Sequence, residues 1–304
     1  MSDRTAWLAQ RKRHLGASEV AAVLGVDPWR GPLAIYERKV GDTPSQADED
    51  HLAFGREVEG AIAGLYRRRT GRPIEDLGAT TIQVHPDVPW LGATLDRVTE
   101  GTDDAPAPAA GRGALELKHV GGFGVRSDDW REEPPLHYQI QVQAQIACAG
   151  FEWGSLAGMF PGYQLAYRDV TRDDEFLEAA LPILERFWDR VERRDPPPVE
   201  EGEPGALEVV KRLWHAETGE TIALPEDLVG VADEWERAKA EAREAEKRAK
   251  GLEAQLRGAI QDNTFGALLD GTLLSLKITK RKGYTRVVEP TEYRTLRRVR
   301  PKGK

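Results

Sequence analysis

One cysteine, Cys148, stands in 304 residues. That excludes an intrachain disulfide and any four-cysteine zinc or iron–sulfur site. Apolar runs are short: none approaches the roughly 20 residues that a membrane-spanning helix needs. The opening residues, MSDRTAWLAQRKRH, hold no apolar signal core, so export is not expected. The histidines, at positions 14, 51, 85, 119, 137 and 215, are scattered without metal-ligand spacing. No internal repeat is visible. Net positive charge is also missing, at −8 overall, which argues against a generic nucleic-acid coat protein. Its distribution differs from its sum. From Lys277 to Lys304 there are 11 Lys/Arg and 2 Asp/Glu, a local +9 that leaves −17 elsewhere. A basic tail on an acidic body suits phosphate contact as well as solvation.

What is present is 40% hydrophobic and 31% charged residues, a soluble globular composition. GASEVAAVLG reads as a helix with Ser18 at its N-cap and Gly25 at its end, and PWRGPLAIYERKVG as a turn and helix closing at Gly41. DTPSQADED reads as a loop. AFGREVEGAIAGLYRRRTG is helical, with Val58, Ile62, Leu65 and Tyr66 on one face and Gly71 as its stop. Then the period changes. TIQVH, LGATLDRVT, ALELKHV, SLAGMF and YQLAYRDV read as strands, with residues 101–113 an exposed connection. DDEFLEAALPILERFWDRVERR is a helix, DPPPVEEGEPG a linker, residues 230–260 a long solvated helix, and GTLLSLKITKRKGYTRVV a basic hairpin. Helices, then strands, then a helix point to an α+β or mixed α/β fold.

Chemistry concentrates in GALELKHV. On a strand, Glu116 and Lys118 share one side, away from Leu115 and Leu117. Alone, that is most simply a surface ion pair, worth about 0–1 kcal/mol. Asp96, at the end of GATLD and one hairpin upstream, changes the reading, because adjacent strands lie about 5 Å apart. Two carboxylates suit a hard divalent cation. Such a cation acidifies water and neutralises phosphate charge, and a lysine can orient that water. Asp-x19-Glu-x-Lys is a loose spacing by itself. Cys148 among alanines reads as a small core residue, His119 as a neighbour on the opposite strand face, and Trp29 as packing rather than DNA contact.

Four stretches in order sharpen it: WLAQRKRHLGASEVAAVLG, FGREVEGAIAGLYRRRTG, PWLGATLDRV with LELKHV, and HYQIQVQAQI. Over residues 7–150 the chain resembles the λ-exonuclease-like (YqaJ-type) phage recombination nucleases of the PD-(D/E)xK superfamily. The resemblance implies an α+β fold with a mixed central sheet flanked by helices, in a nuclease domain over residues 1–200. Residues 201–304 would be an extension with the long charged helix and basic hairpin. It implies metal-binding carboxylates at Asp96 and Glu116, a catalytic Lys118, and further metal ligands from Glu59 and the Leu117 carbonyl. Arg11 and Ser18 are matched to a terminal 5′-phosphate pocket, and Thr94 and Gln141 to other phosphate or active-site contacts. A serine at a helix N-terminus and an arginine are sound anion ligands on physical grounds. Leu95 departs from the family's proline before the aspartate. YQIQVQAQI alternates like a strand, but the resemblance makes it a helix, as its glutamines and alanines favour.

The expected activity is Mg2+-dependent (Mn2+ as substitute) 5′-to-3′ exonuclease digestion of linear duplex DNA in the cytoplasm of a bacterial host. The expected partners are duplex DNA ends, a phage single-strand annealing protein and further copies of the chain in a homo-oligomer, with no membrane. The alternatives are an endonuclease of the same fold and a catalytically inactive DNA-binding or assembly module.

Overall fold

A computed structural model describes residues 9–41, 50–78, 80–101, 109–121, 130, 133–280, 282–283 and 293–299. The loop read at 42–49, most of the connection at 101–113 and much of the basic tail lie outside these residues. Contacts divide the chain into two units, 1–214 and 215–304.

In the first unit the buried strand is β6 (Arg112–His119), covered on both faces through its middle. Leu115 and Leu117 pack with Ile62, Ala63 and Tyr66 of α3 (Asp50–Thr70). Ala114 faces the other way, into a cluster with Val142 and Ile146 of α4 (Leu136–Ala149). Around β6, β2 (Ile74–Glu75), β5 (Arg97–Glu100), β7 (Trp153–Phe160) and β8 (Gln164–Thr171) form a mixed five-stranded sheet ordered β2-β5-β6-β7-β8. Only β6 and β7 run parallel, and the crossover that this demands contains α4. A smaller sheet, β1 (Leu15–Gly16), β4 (Leu91–Ala93) and β3 (Gln83–Val84), has β4 in the middle. The fold is a mixed α/β core, a central sheet between helices.

α1 (Ala17–Val23) and α2 (Pro32–Val40) precede α3, which stops at Gly71, a residue with φ of +72°. Beyond the sheet, α5 (Asp174–Arg193) starts where the Asp173 side chain accepts the Phe176 N–H at 2.9 Å. It buries Leu177, Leu184, Phe187 and Trp188. Arg72 clamps the end of α3 to β8 by a bidentate pair with Asp169 at 2.8 and 2.7 Å, and also donates to the Tyr66 hydroxyl at 2.8 Å. The proline-rich stretch leads to α6 (Ala206–Leu213). The second unit holds α7 (Leu228–Ile260) and the hairpin of β9 (Phe265–Ala267) with β10 (Leu273–Ser275). Among the described residues no helix is long and apolar enough to cross a membrane.

Three expectations are corrected. LGATLDRVT is not one strand: it breaks at residues 94–96, and its halves, β4 and β5, belong to different sheets. Leu95 is buried there while Asp96 turns to the end of the β5–β6 ladder. The hairpin lies upstream of the basic segment, because its turn is built by Asp270, which accepts the Thr272 N–H at 2.9 Å, and Gly271, with φ of +84°. Residues 276–280 follow it without regular structure. Ser18 is not the N-cap of α1; Gly16 is, and Glu19 accepts the Gly16 N–H at 2.8 Å. YQIQVQAQI is helical, as the resemblance implied. Its period-two pattern misleads because Gln143 and Gln145 are buried like the residues between them. Gln143 donates to the Thr171 carbonyl at 2.7 Å and accepts the Asp173 N–H at 3.0 Å.

Candidate active site

The break between β4 and β5 places the first carboxylate. Pairing of β5 with β6 begins at Arg97 opposite Leu115, so Asp96 lies just beyond it, beside Glu116 and Leu117. The Leu117 N–H, left without a β5 partner, donates to Asp96 Oδ2 at 2.9 Å. In a β-strand the N–H and C=O of one residue point to the same side. The Leu117 carbonyl therefore faces the same edge.

Glu116 is 2% exposed and accepts from three nitrogen donors. Lys118 Nζ and Gln141 Nε2 reach Oε1, the latter at 2.7 Å, and Gln145 Nε2 reaches Oε2 at 2.6 Å. Gln141 and Gln145 are one helical turn apart on α4, so they meet the strand together. Lys118 also donates to Gln141 Oε1 at 3.3 Å and lies 4.8 Å from the centre of the Tyr138 ring. Burial alone would depress the Lys118 ammonium. Glu116 and Asp96 outweigh burial and hold it above its ordinary range. Asp96 goes the other way for a carboxylate. Burial, then repulsion from Glu116 and Glu59, raises it well above the usual value, against the opposing Lys118 and the Leu117 N–H. Glu59 on α3 is raised mainly by burial; Arg97 opposes the rise and Glu116 adds to it.

Of the residues singled out from sequence, Glu116, Lys118 and Gln141 are hydrogen-bonded to one another, Asp96 holds the Leu117 N–H, and Asp96 and Glu59 are within electrostatic reach of Glu116 and Lys118. Thr94 enters through its carbonyl, 3.5 Å from Gln145 Nε2. β1 runs parallel to β4, with Leu15 opposite Leu91 and Gly16 opposite Gly92. Ser18 and Thr94, each two residues farther on, therefore leave the ladder at the same end. The Ser18 carbonyl accepts from Arg30 Nη2 at 3.2 Å, and that of Arg11 from Lys39 Nζ at 3.0 Å. Burial raises Glu19, beneath them, but Lys39, Arg38 and Arg11 outweigh it and keep the carboxyl low. His137, its ring 4.0 Å from that of Tyr138, is depressed by burial and is close enough to Lys118 and Arg30 to feel both. Trp29 is half exposed and meets the His137 ring edge-on. His119 is exposed against Phe54, and Cys148 is buried, its thiol pushed up to about 12.

Sequence reasoning missed Gln145, Tyr138 and Arg30. For Gln145 a signal existed, since it follows Gln141 by four on a segment already read as helix. Tyr138 and Arg30 had none.

A divalent cation is the group this family of sites implies. The donors are all oxygen, the chemistry Mg2+ takes. Asp96 and Glu59 are carboxylates whose ionised forms burial and mutual repulsion oppose, and a cation reverses both effects. Gln145 Oε1 is buried without a partner beside them. The residues fit such an ion in type and charge. Among the described residues, though, no three carboxylate, histidine or cysteine side chains converge as they stand. Glu116 is instead occupied by its three nitrogen donors.

Residues 6–152 match the family of the YqaJ-like viral recombinase domain. That stretch is just under half of the chain. It contains every site residue named from sequence. The YqaJ protein of Bacillus subtilis (strain 168) is 26% identical over 271 residues, covering 86% of this chain and 80% of that protein. A match that long extends past residues 6–152 into the second unit. Among solved structures, an alkaline exonuclease from Laribacter hongkongensis is 20% identical, with a TM-score of 0.49, covering 63% of this chain and 94% of that one. A phage related exonuclease from Haemophilus somnus 129PT is 10% identical, with a TM-score of 0.45, covering 60% and 96%.

Proposed function

We propose that this chain is a Mg2+-dependent DNA nuclease that resects linear duplex DNA from a 5′-phosphorylated end, 5′ to 3′, for phage homologous recombination. The observation that carries the reading is the Asp96–Glu116–Lys118 cluster, with Glu116 buried and the other two half-buried, within the residues that match the YqaJ-like viral recombinase domain. Asp96, Glu116, Glu59 and the Leu117 carbonyl would hold the ion, with Mn2+ a workable substitute. When bound, the cation would acidify a water and neutralise charge on the scissile phosphate. The chain's own residues do the rest. Lys118 orients or activates the attacking water beside the Glu116 carboxylate. Gln141 and Gln145 fix the Glu116 carboxylate. In-line attack breaks the P–O3′ bond, releases the terminal nucleotide with a 3′-hydroxyl and leaves the attacked phosphate on the new 5′ end of the strand. Arg11 and Ser18 receive the terminal phosphate, with Thr94 and Gln141 nearer the scissile one. A phage single-strand annealing protein is the expected consumer of the exposed 3′ strand, and the working enzyme is a homo-oligomer.

The test uses linear and closed-circular duplex DNA, with and without 5′-phosphate, in Mg2+ or EDTA, beside Lys118→Ala. Mg2+-dependent loss of linear DNA only, faster with 5′-phosphate and absent in the variant, is the expected result. Cleavage of circles would make the enzyme an endonuclease. Binding with no cleavage of either substrate would make the domain a non-catalytic DNA-binding module.

A further inference from the structure

The second unit contains a long helix whose apolar face is largely open among the described residues. α7 runs for 33 residues, and only Ile260, at its end, is buried. Isolated helices are marginal in water unless an apolar face is covered. α7 has such a face, in the period of a coiled coil. With Leu228 as position a of a heptad, the a positions are Leu228, Trp235, Ala242, Ala249 and Leu256, and the d positions are Val231, Ala238, Ala245, Leu252 and Ala259. Ten of ten are apolar, and spacings of three and four alternate without a break, the signature of a two-helix seam. Val231, Leu252 and Leu256 are 59%, 51% and 46% exposed. Described residues near the chain end lie mainly on the outer side of α7: Arg298 pairs with Asp233 and Glu236, at the outward f and b positions, and Leu296 to Arg298 reach the seam at Trp235, which is half-buried.

We propose that α7 is a self-association surface on which two copies of this chain pair as an antiparallel coiled coil, centred between Ala242 and Ala245. Size and charge choose this arrangement. In the antiparallel register Trp235 packs on Leu252 of the second copy, Val231 on Leu256, and the alanines at 238, 242, 245 and 249 meet one another, so two large ends flank a narrow centre. Glu241 then faces Arg248, and Lys239 faces Glu246, each twice by symmetry, with no like-charged pair. The parallel register stacks Trp235 on Trp235 and, beside the opposite-charge pairs Glu234–Lys239 and Arg248–Glu253, sets Glu241 against Glu246, also twice. Intrahelical pairs such as Lys250–Glu246 and Arg257–Glu253 support the helix itself.

The test is sedimentation equilibrium of the full chain, with helix content followed by circular dichroism. Ala242→Glu with Ala245→Glu places four carboxylates at the centre while keeping strong helix formers. The expected result is unchanged helicity and half the native mass. Glu241→Arg alone is expected to weaken self-association by about tenfold, since two attractive pairs become repulsive, and adding Arg248→Glu restores it. Stronger association of Glu241→Arg would mean the parallel register and overturn the proposal. So would a native chain that stays monomeric at about 50 µM, where micromolar association would already show, or native mass retained by the alanine double variant.

Discussion

The two units treat charge in opposite ways. In the first, Glu19, Glu116 and Arg72 are buried and each is held by named partners. In the second, charges lie along an exposed helix, paired three or four residues apart, as Glu234 with Arg237 and Glu253 with Arg257. A buried charge that loses its partner is costly, whereas an exposed pair contributes a few tenths of a kcal/mol. The comparison separates charges that need a built environment from charges that keep a helix in solution.

The contrast breaks most sharply at Lys118. Lys118→Ala should lower the rate of DNA hydrolysis by about a hundred- to a thousandfold, the scale for losing one positioned donor, while thermal unfolding stays cooperative. An active variant would move the chemistry elsewhere. In the core beneath, Ile62→Ala should cost about 2–5 kcal/mol, since the side chain is fully buried between α3 and β6. Leu252→Ala on α7, measured in the alanine-seam variant so that association does not contribute, should cost well under about 1 kcal/mol by denaturant unfolding. Equal costs would abolish the distinction between the units.

Asp96→Asn sharpens the comparison through sign. Burial and the neighbouring carboxylates raise the folded pKa of Asp96 above its unfolded value, so its stabilising contribution is complete below the unfolded value and is lost as pH rises through the folded one. Metal-free protein should therefore melt at a higher temperature as Asp96→Asn than as wild type at neutral pH, with the gap closing in acid. Added Mg2+ should raise the melting temperature of wild type and not of the variant. A variant that melts lower at neutral pH would remove the repulsion from the account. Smallest of all, Arg257→Gln on α7 should change helix stability by about 0.3 kcal/mol, seen as a shift in the thermal transition followed at 222 nm.

Much of the site was legible because catalysis draws on few residue types at short separations. Glu116 and Lys118 declare a shared face by spacing alone, and Asp96 stands one hairpin away. Gln145 was legible only in part, because a buried glutamine in an alternating stretch looks like the outer face of a strand. Tyr138 and Arg30 were silent: a ring beside a lysine and a guanidinium on a carbonyl leave no pattern along the chain. Ser18 shows the limit of local rules, since its cap position was taken by Gly16 and the Glu19 carboxylate.

The sequence by itself determined the helices with a clear apolar period, the stop at Gly71, the strands around Glu116, and a heptad seam on α7 that needs only the numbering to be seen. These follow from interactions between residues a few positions apart. Only the tertiary structure decided that LGATLDRVT divides between two sheets, that YQIQVQAQI is a buried helix, and that its glutamines saturate Glu116. Those outcomes depend on which surfaces meet, and a buried polar side chain takes its meaning from the partner that satisfies it.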